Sequence, residues 1–119
     1  MSSRPEEFRN RTKAFALRVI RLFRSLPYRT DTQVLGKQLL RCGTSVAANY
    51  RAVCRARSKA EFIARIGIVA EEADEAVLWM ELLTESGIIK PEKTEALLKE
   101  AKELAAILTA SQQTARKSA

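Results

Sequence analysis

Five cations fall within a short stretch of this chain: Arg51, Arg55, Arg57, Lys59 and Arg65. Arg51 and Arg55 are one helical turn apart and therefore neighbours, while Arg57 and Lys59 stand at the turn that follows. The chemistry open to them is anion binding, because a guanidinium fork makes two parallel, charge-assisted hydrogen bonds to a phosphate. Contacts of that kind set affinity without reading a base sequence. The arginines of the first predicted helix form a wider field around the patch. No aromatic residues interleave with the cations, Tyr50 standing alone, so nothing suggests a base-stacking platform. Glu71, Asp74 and Glu75 are the acids placed to neutralise these arginines within or between subunits, and that alternative stands beside phosphate binding.

Reaction chemistry is poorly provided for. The chain has no histidine to act as a base near neutral pH. Glu71, Glu72, Asp74 and Glu75 offer carboxylates, but a di-iron bundle draws on Glu-x-x-His motifs from paired helices. Without histidine or a CxxC motif an ordinary zinc site is not expected. Cys42 and Cys54 lie on or near apolar stripes and read as small core residues rather than nucleophiles. Twelve positions apart on one predicted helix, or roughly 18 Å of rise, they cannot pair with each other. The expectation is a protein that is not an enzyme, with no cofactor and no metal.

The formal net charge of +7 hides an asymmetry. Residues 1–59 carry fourteen Lys/Arg against three acids, and residues 60–119 carry seven against eleven. A basic first half invites a nucleic-acid partner; basic helices lying beside acidic ones in a soluble bundle would explain it equally. No apolar run approaches the roughly 20 residues that span a bilayer, and no signal-like block opens the chain. A cytoplasmic protein without a membrane partner is expected.

The elements that must position the cations are all helical. Few glycines and prolines, with abundant Ala, Leu, Arg, Lys and Glu, favour helix throughout. The spacing predicts helices over about 6–26, 32–56, 59–86 and 91–112, followed by a frayed C-terminal tail, in a single domain spanning 1–119. Helix one repeats Phe8, Phe15 and Leu22. Helix two, capped by Thr30 or Asp31, carries Cys42, Val46, Asn49, Val53 and Ala56 on one stripe, so Asn49 is expected to be buried and hydrogen-bonded, holding register. Ser58 and Glu61 form a capping box at the start of helix three. That helix has the cleanest stripe, Phe62, Ile66, Val69, Ala73, Ala76, Met80 and Leu83. Ile68, Leu78, Trp79 and Leu82 add apolar surface beyond one seam, and Leu78, Trp79 and Leu82 mark a candidate oligomer interface. Folding helix two back on helix one would set Gly43 opposite Phe15, giving the ring room; a kink is the other option. Asn49 would similarly face Ile66 and Gly67, where the glycine permits close approach. Short connections make the fold class all-α, an up-down-up-down antiparallel four-helix bundle.

The run GTSVAANYRAVCRARSKAEF, followed by IARIGIVAEEADEAVLWMELL, resembles the S23 or 23S rRNA intervening-sequence proteins, a four-helix-bundle family. The family's Ser-aliphatic-x-x-Asn core corresponds to Ser45–Asn49, its basic/serine turn to Arg55–Ser58, and its Glu-rich helix to the segment with Gly67, Glu71, Glu72 and Glu75. Where that core often holds a proline and ends in Ile-Ala-Glu-Gly, this chain has Ala47 and then Tyr50, Arg51, Ala52 and Val53, matching the "ANYR" variant, whose members need not be encoded inside ribosomal RNA genes. The resemblance implies a ring-forming homo-oligomer with cyclic symmetry, a pentamer first and a dimer next. It also points to nucleic acid, RNA or DNA, or a nucleic-acid-associated protein as partner, since a distant relative, the accessory variability protein of diversity-generating retroelements, is associated with nucleic acid and a reverse transcriptase. The resulting expectation is a non-catalytic bundle that binds through its basic patch, the alternative being a protein-binding scaffold with no nucleic-acid activity.

Overall fold

In the computed structural model, which describes residues 3–118, the chain forms four helices: α1 (Arg4–Arg24), α2 (Thr30–Val53), α3 (Lys59–Glu85) and α4 (Pro91–Lys117). There is no strand among the described residues. Each helix packs on the next and α1 closes on α4, while the backbones of the diagonal pairs, α1 with α3 and α2 with α4, stand farther apart. Cross-helix contacts run in opposite chain senses at every seam. On α3 and α4, Thr84 bonds Thr94 while Ile63 meets Gln112, and on α1 and α2, Val19 lies over Gly43 while Phe23 and Leu26 lie over Gly36. The bundle is therefore up-down-up-down and antiparallel. No helix among the described residues is long and apolar enough to cross a membrane.

The helix ends follow local chemistry. Ser3, absent from the sequence-based expectation, caps α1 by accepting the Glu6 N–H at 3.1 Å, so the helix begins at Arg4 rather than at about Glu6; Met1 and Ser2 lie outside the described residues. Neither Thr30 nor Asp31 caps α2. Arg29 holds that position without a side-chain bond, and Asp31 acts inside the first turn, where its carboxylate accepts the Thr32 N–H at 2.8 Å and favours the positive end of the helix. α2 stops at Val53, three residues short of Ala56, because Arg55 and Ala56 donate back three residues rather than four, to Ala52 and Val53. At the far end of α3, Gly87 takes φ +83°, a left-handed conformation suited to glycine. It lets Ile88 and Ile89 both donate to Leu83 O, the closure that ends many helices. α4 continues to Lys117 where a frayed tail beyond Gln112 was expected. The Gln112 amide donates to Ile63 O at 3.0 Å, fastening the last turns to α3; Ala119 lies outside the described residues.

The core is a single apolar column. On α3 the stripe Ile66, Val69, Ala73, Ala76, Met80 and Leu83 is buried throughout, with Phe62 half-buried at its start. Leu97, Ala101, Leu104 and Leu108 answer it from α4, and Phe15 and Val19 from α1. Gly43 faces Val19 rather than Phe15: a Cβ there would fall 2.8 Å from both Val19 methyls. The pairing of α1 with α2 is thus about one turn from the expected register, and the glycine admits a β-branched side chain instead of a ring.

Candidate nucleic-acid interface

The end of α2, the turn and the start of α3 draw the predicted cations together. Arg51, Arg55, Arg57 and Arg65 line one open hollow of about 450 Å³ with Ala48, Ala52 and Glu61. Lys59, on the first turn of α3, is exposed but does not line it. Ser58 caps α3 through its Oγ, which accepts the Glu61 N–H at 3.0 Å. The Glu61 carboxylate reaches back toward the Arg57 N–H at 3.4 Å and accepts the Arg65 Nε–H at 2.8 Å. One acid thus serves both the residue before the cap and one guanidinium, and the expected capping box is met in its Ser58 half, the carboxylate turning to Arg57 N–H rather than to Ser58 N–H. Arg51, Arg55 and Arg57 form no ion pair among the described residues.

A second basic hollow, of about 460 Å³, adjoins the first along α2 and shares Ala48 and Arg51 with it. Its other walls are Arg9, Asn10 and Lys13 from α1 and Thr44 and Ala47 from α2. Two of the seven cations of α1 are therefore local to the patch. Arg11 turns the other way, donating to Glu100 at 2.8 and 2.7 Å and to Glu103 at 2.9 Å on α4; the Glu100 hydrogen bonds come first in holding its guanidinium above the ordinary value. The spacing of Arg9 and Lys13 marks them as neighbours, but their approach to Arg51 depends on the helix pairing, which was misplaced by a turn.

The acids of α3 are engaged elsewhere. Arg41 donates to Glu72 at 3.0 Å, to Glu75 at 3.3 Å and to Cys42 Sγ at 3.1 Å. Cys42, Glu72 and Glu75 are the one set of potential metal-ligand atoms that converge, within 4.8 Å, among the described residues, and the Arg41 guanidinium supplies the positive charge there. Burial pushes the Cys42 thiol up from 9.0 to about 11, against the pull of Arg41, so at neutral pH it is a protonated core residue and not a nucleophile. Burial likewise raises the Tyr50 phenol to about 12, with Cys54 adding to the shift. Glu71 and Asp74 are exposed and make no ion pair among the described residues.

These features sit in a chain whose residues 6–110 match the family model for the 23S rRNA-intervening sequence protein. The chain belongs to that family. Among solved structures it is similar to a crystal structure of a protein with unknown function from the S23 ribosomal protein family of Bacteroides thetaiotaomicron. The two are 31% identical, with a TM-score of 0.84 over 93% of this chain and 99% of the other. No curated protein matches the chain.

The run that resembles the family core, Ser45–Asn49, lies along α2 beside the two hollows. Asn49 is half-buried, not buried, and its amide donates to Ser45 O at 3.0 Å within its own helix. Tyr50 takes the inward place instead, packed edge-on to Phe8 at 4.8 Å. Gly67 does not receive Asn49. It lies against α4, where a Cβ would collide with Gln112 Nε2. On the outer side of α3, Ile68, Leu78 and Leu82 are 49%, 47% and 40% exposed. Trp79 departs from that group: it is half-buried, and its indole N–H is buried without a hydrogen-bond partner among the described residues.

Proposed function

We propose that this member of the 23S rRNA-intervening sequence protein family is a non-catalytic, homo-oligomeric bundle that binds nucleic acid through the surface formed by Arg51, Arg55, Arg57 and Arg65, with Lys59 at its edge. The observation that carries this reading is the convergence of four guanidiniums on one open hollow, three of them without an ion pair among the described residues. Such groups would meet phosphates without first surrendering a protein carboxylate, and release of the phosphates' counterions would favour binding. The family's name, which refers to 23S rRNA, agrees in kind. Self-association is supported by the exposed Ile68, Leu78 and Leu82 of α3, and cyclic closure, with a pentamer favoured, would repeat the patch in every subunit and raise its effective concentration.

Titration of labelled RNA and DNA with the wild type and with an Arg51→Ala/Arg55→Ala variant, at low salt, tests the reading. Loss of binding in the variant supports it. Equal binding by both proteins removes the patch, and no binding by either leaves the protein-binding scaffold, which the exposed leucines of α3 favour. Sedimentation addresses assembly separately: a stable monomer at micromolar concentration contradicts the oligomer.

A further inference from the structure

The outer edge of α2 divides two rows of cations. The hollow on the α1 side has Arg9 and Lys13, one turn apart, and the hollow on the α3 side has Arg55, Arg57 and Arg65. Between them run Ala47, Ala48 and Ala52, a low ridge of small side chains from which Arg51 reaches into both hollows. α1 and α3 each pack on α2 and lie diagonally across the bundle from one another. With neighbouring axes about 8–10 Å apart, the helices that flank the ridge stand about 11–14 Å from one another.

That layout suits one form of nucleic acid better than another. Proteins that hold single strands combine a basic track with aromatic faces on which bases stack, and neither hollow is lined by an aromatic residue. A duplex instead presents two phosphate rows flanking a groove, about 12 Å wide in the major groove of B-form DNA and wide and shallow in the minor groove of A-form RNA. Resting on the nucleic-acid reading above, we infer that the ligand is a duplex, straddled at one groove. The alanine ridge of α2 faces the groove. Arg9 and Lys13 hold the phosphates of one strand, Arg55, Arg57 and Arg65 hold those of the other, and Arg51 lies between the rows. The small side chains let the backbones approach closely and read no bases, so binding is indifferent to sequence.

Two phosphate rows are common to RNA and DNA duplexes, and the test separates these sources. The intact protein is titrated, by fluorescence anisotropy, with a short RNA duplex, the matching DNA duplex and the separated strands across about 50–200 mM salt. The same series is run for Arg9→Ala/Lys13→Ala, for Arg57→Ala/Arg65→Ala and for the quadruple variant. All four positions except the Glu61-paired Arg65 lack an ion pair among the described residues, and all are exposed; thermal melts check that each variant stays folded, and Lys13→Glu gives a second probe of the α1 row. The expected result is a duplex salt slope that falls by about 1.8 for each pair, additively in the quadruple variant. Single strands should bind more weakly and respond to one row at most. Preference for the RNA duplex assigns the A-form minor groove, and preference for the DNA duplex the B-form major groove; either supports the two-row arrangement. Single strands bound as tightly as duplexes with the same slope, or a duplex slope untouched by loss of either pair, overturn the inference while leaving nucleic-acid binding in place. No binding to any probe at low salt removes the underlying reading and the inference with it.

Discussion

Arg41 and Arg51 lie on the same helix, ten residues apart, and end in opposite circumstances. Arg41 faces the middle of α3, where Glu72 and Glu75 take its guanidinium and Cys42 takes what remains. Arg51 lies toward the end of α2, where the antiparallel partner offers Glu61, already committed to Arg65 and the cap. One residue type therefore serves two ends: an internal ion cluster at mid-bundle and an open basic surface at the bundle end. Net charge does not separate these uses. What separates them is which part of the acidic helix each arginine meets, and that is set by helix pairing.

The largest effect should come from disturbing the tight mid-bundle region. Gly43→Val forces a branched side chain against Val19, already 2.8 Å from an added Cβ, and should destabilise the fold by about 1–3 kcal/mol. Ala48→Val, on the exposed ridge, should change stability by less than about 0.5 kcal/mol. Urea denaturation of the two variants measures both, and equal losses would erase the distinction between the regions.

A smaller difference is expected between the arginines themselves. Arg41→Ala leaves the largely buried Glu72 side chain, 15% exposed, without its partner, and should lower the urea midpoint. Arg51→Ala and Arg55→Ala break no ion pair among the described residues and should leave the urea midpoint within the scatter of the wild type.

The bundle was legible in the sequence because α3 states its buried face without ambiguity. The 4-3 spacing from Ile66 to Leu83 admits one stripe, and all of it is buried. α2 is less explicit. Past Val46, both Asn49 and Tyr50 continue a helical stripe, and the choice of Tyr50 depends on the ring of Phe8 from another helix, which periodicity cannot supply. The arginine cluster was visible because its members are close in the chain. Which cations of the wider field on α1 adjoin it, Arg9 and Lys13, was not, since that depends on α1 packing Val19 rather than Phe15 over Gly43. The caps divide the same way: Ser58 with Glu61 follows a local rule, whereas Arg29 begins α2 without a side-chain bond and leaves no signal.

A further effect concerns pH. The folded state holds the Cys42 thiol at about 11, against 9.0 for a free group. Folding therefore favours the neutral thiol. The stability this supplies is present below about pH 9 and is lost as pH rises toward about 11, because the unfolded chain ionises first. The stability difference between the wild type and Cys42→Ala should shrink across that window. A constant difference would contradict the burial of Cys42 beside Arg41; comparing the two proteins cancels the overlapping titration of Tyr50.

The contrast between the two kinds of arginine is tested most directly by the salt dependence of nucleic-acid binding in Arg41→Ala and in Arg51→Ala/Arg55→Ala. Arg41→Ala should retain the wild-type slope of log affinity against log salt, because its guanidinium is already spent on Glu72 and Glu75. The double variant should lose about 1.8 from that slope, as expected for two phosphate contacts on a duplex. The opposite pattern, with the slope reduced by Arg41→Ala and unchanged by the double variant, would contradict the assignment of the open hollow as the binding surface.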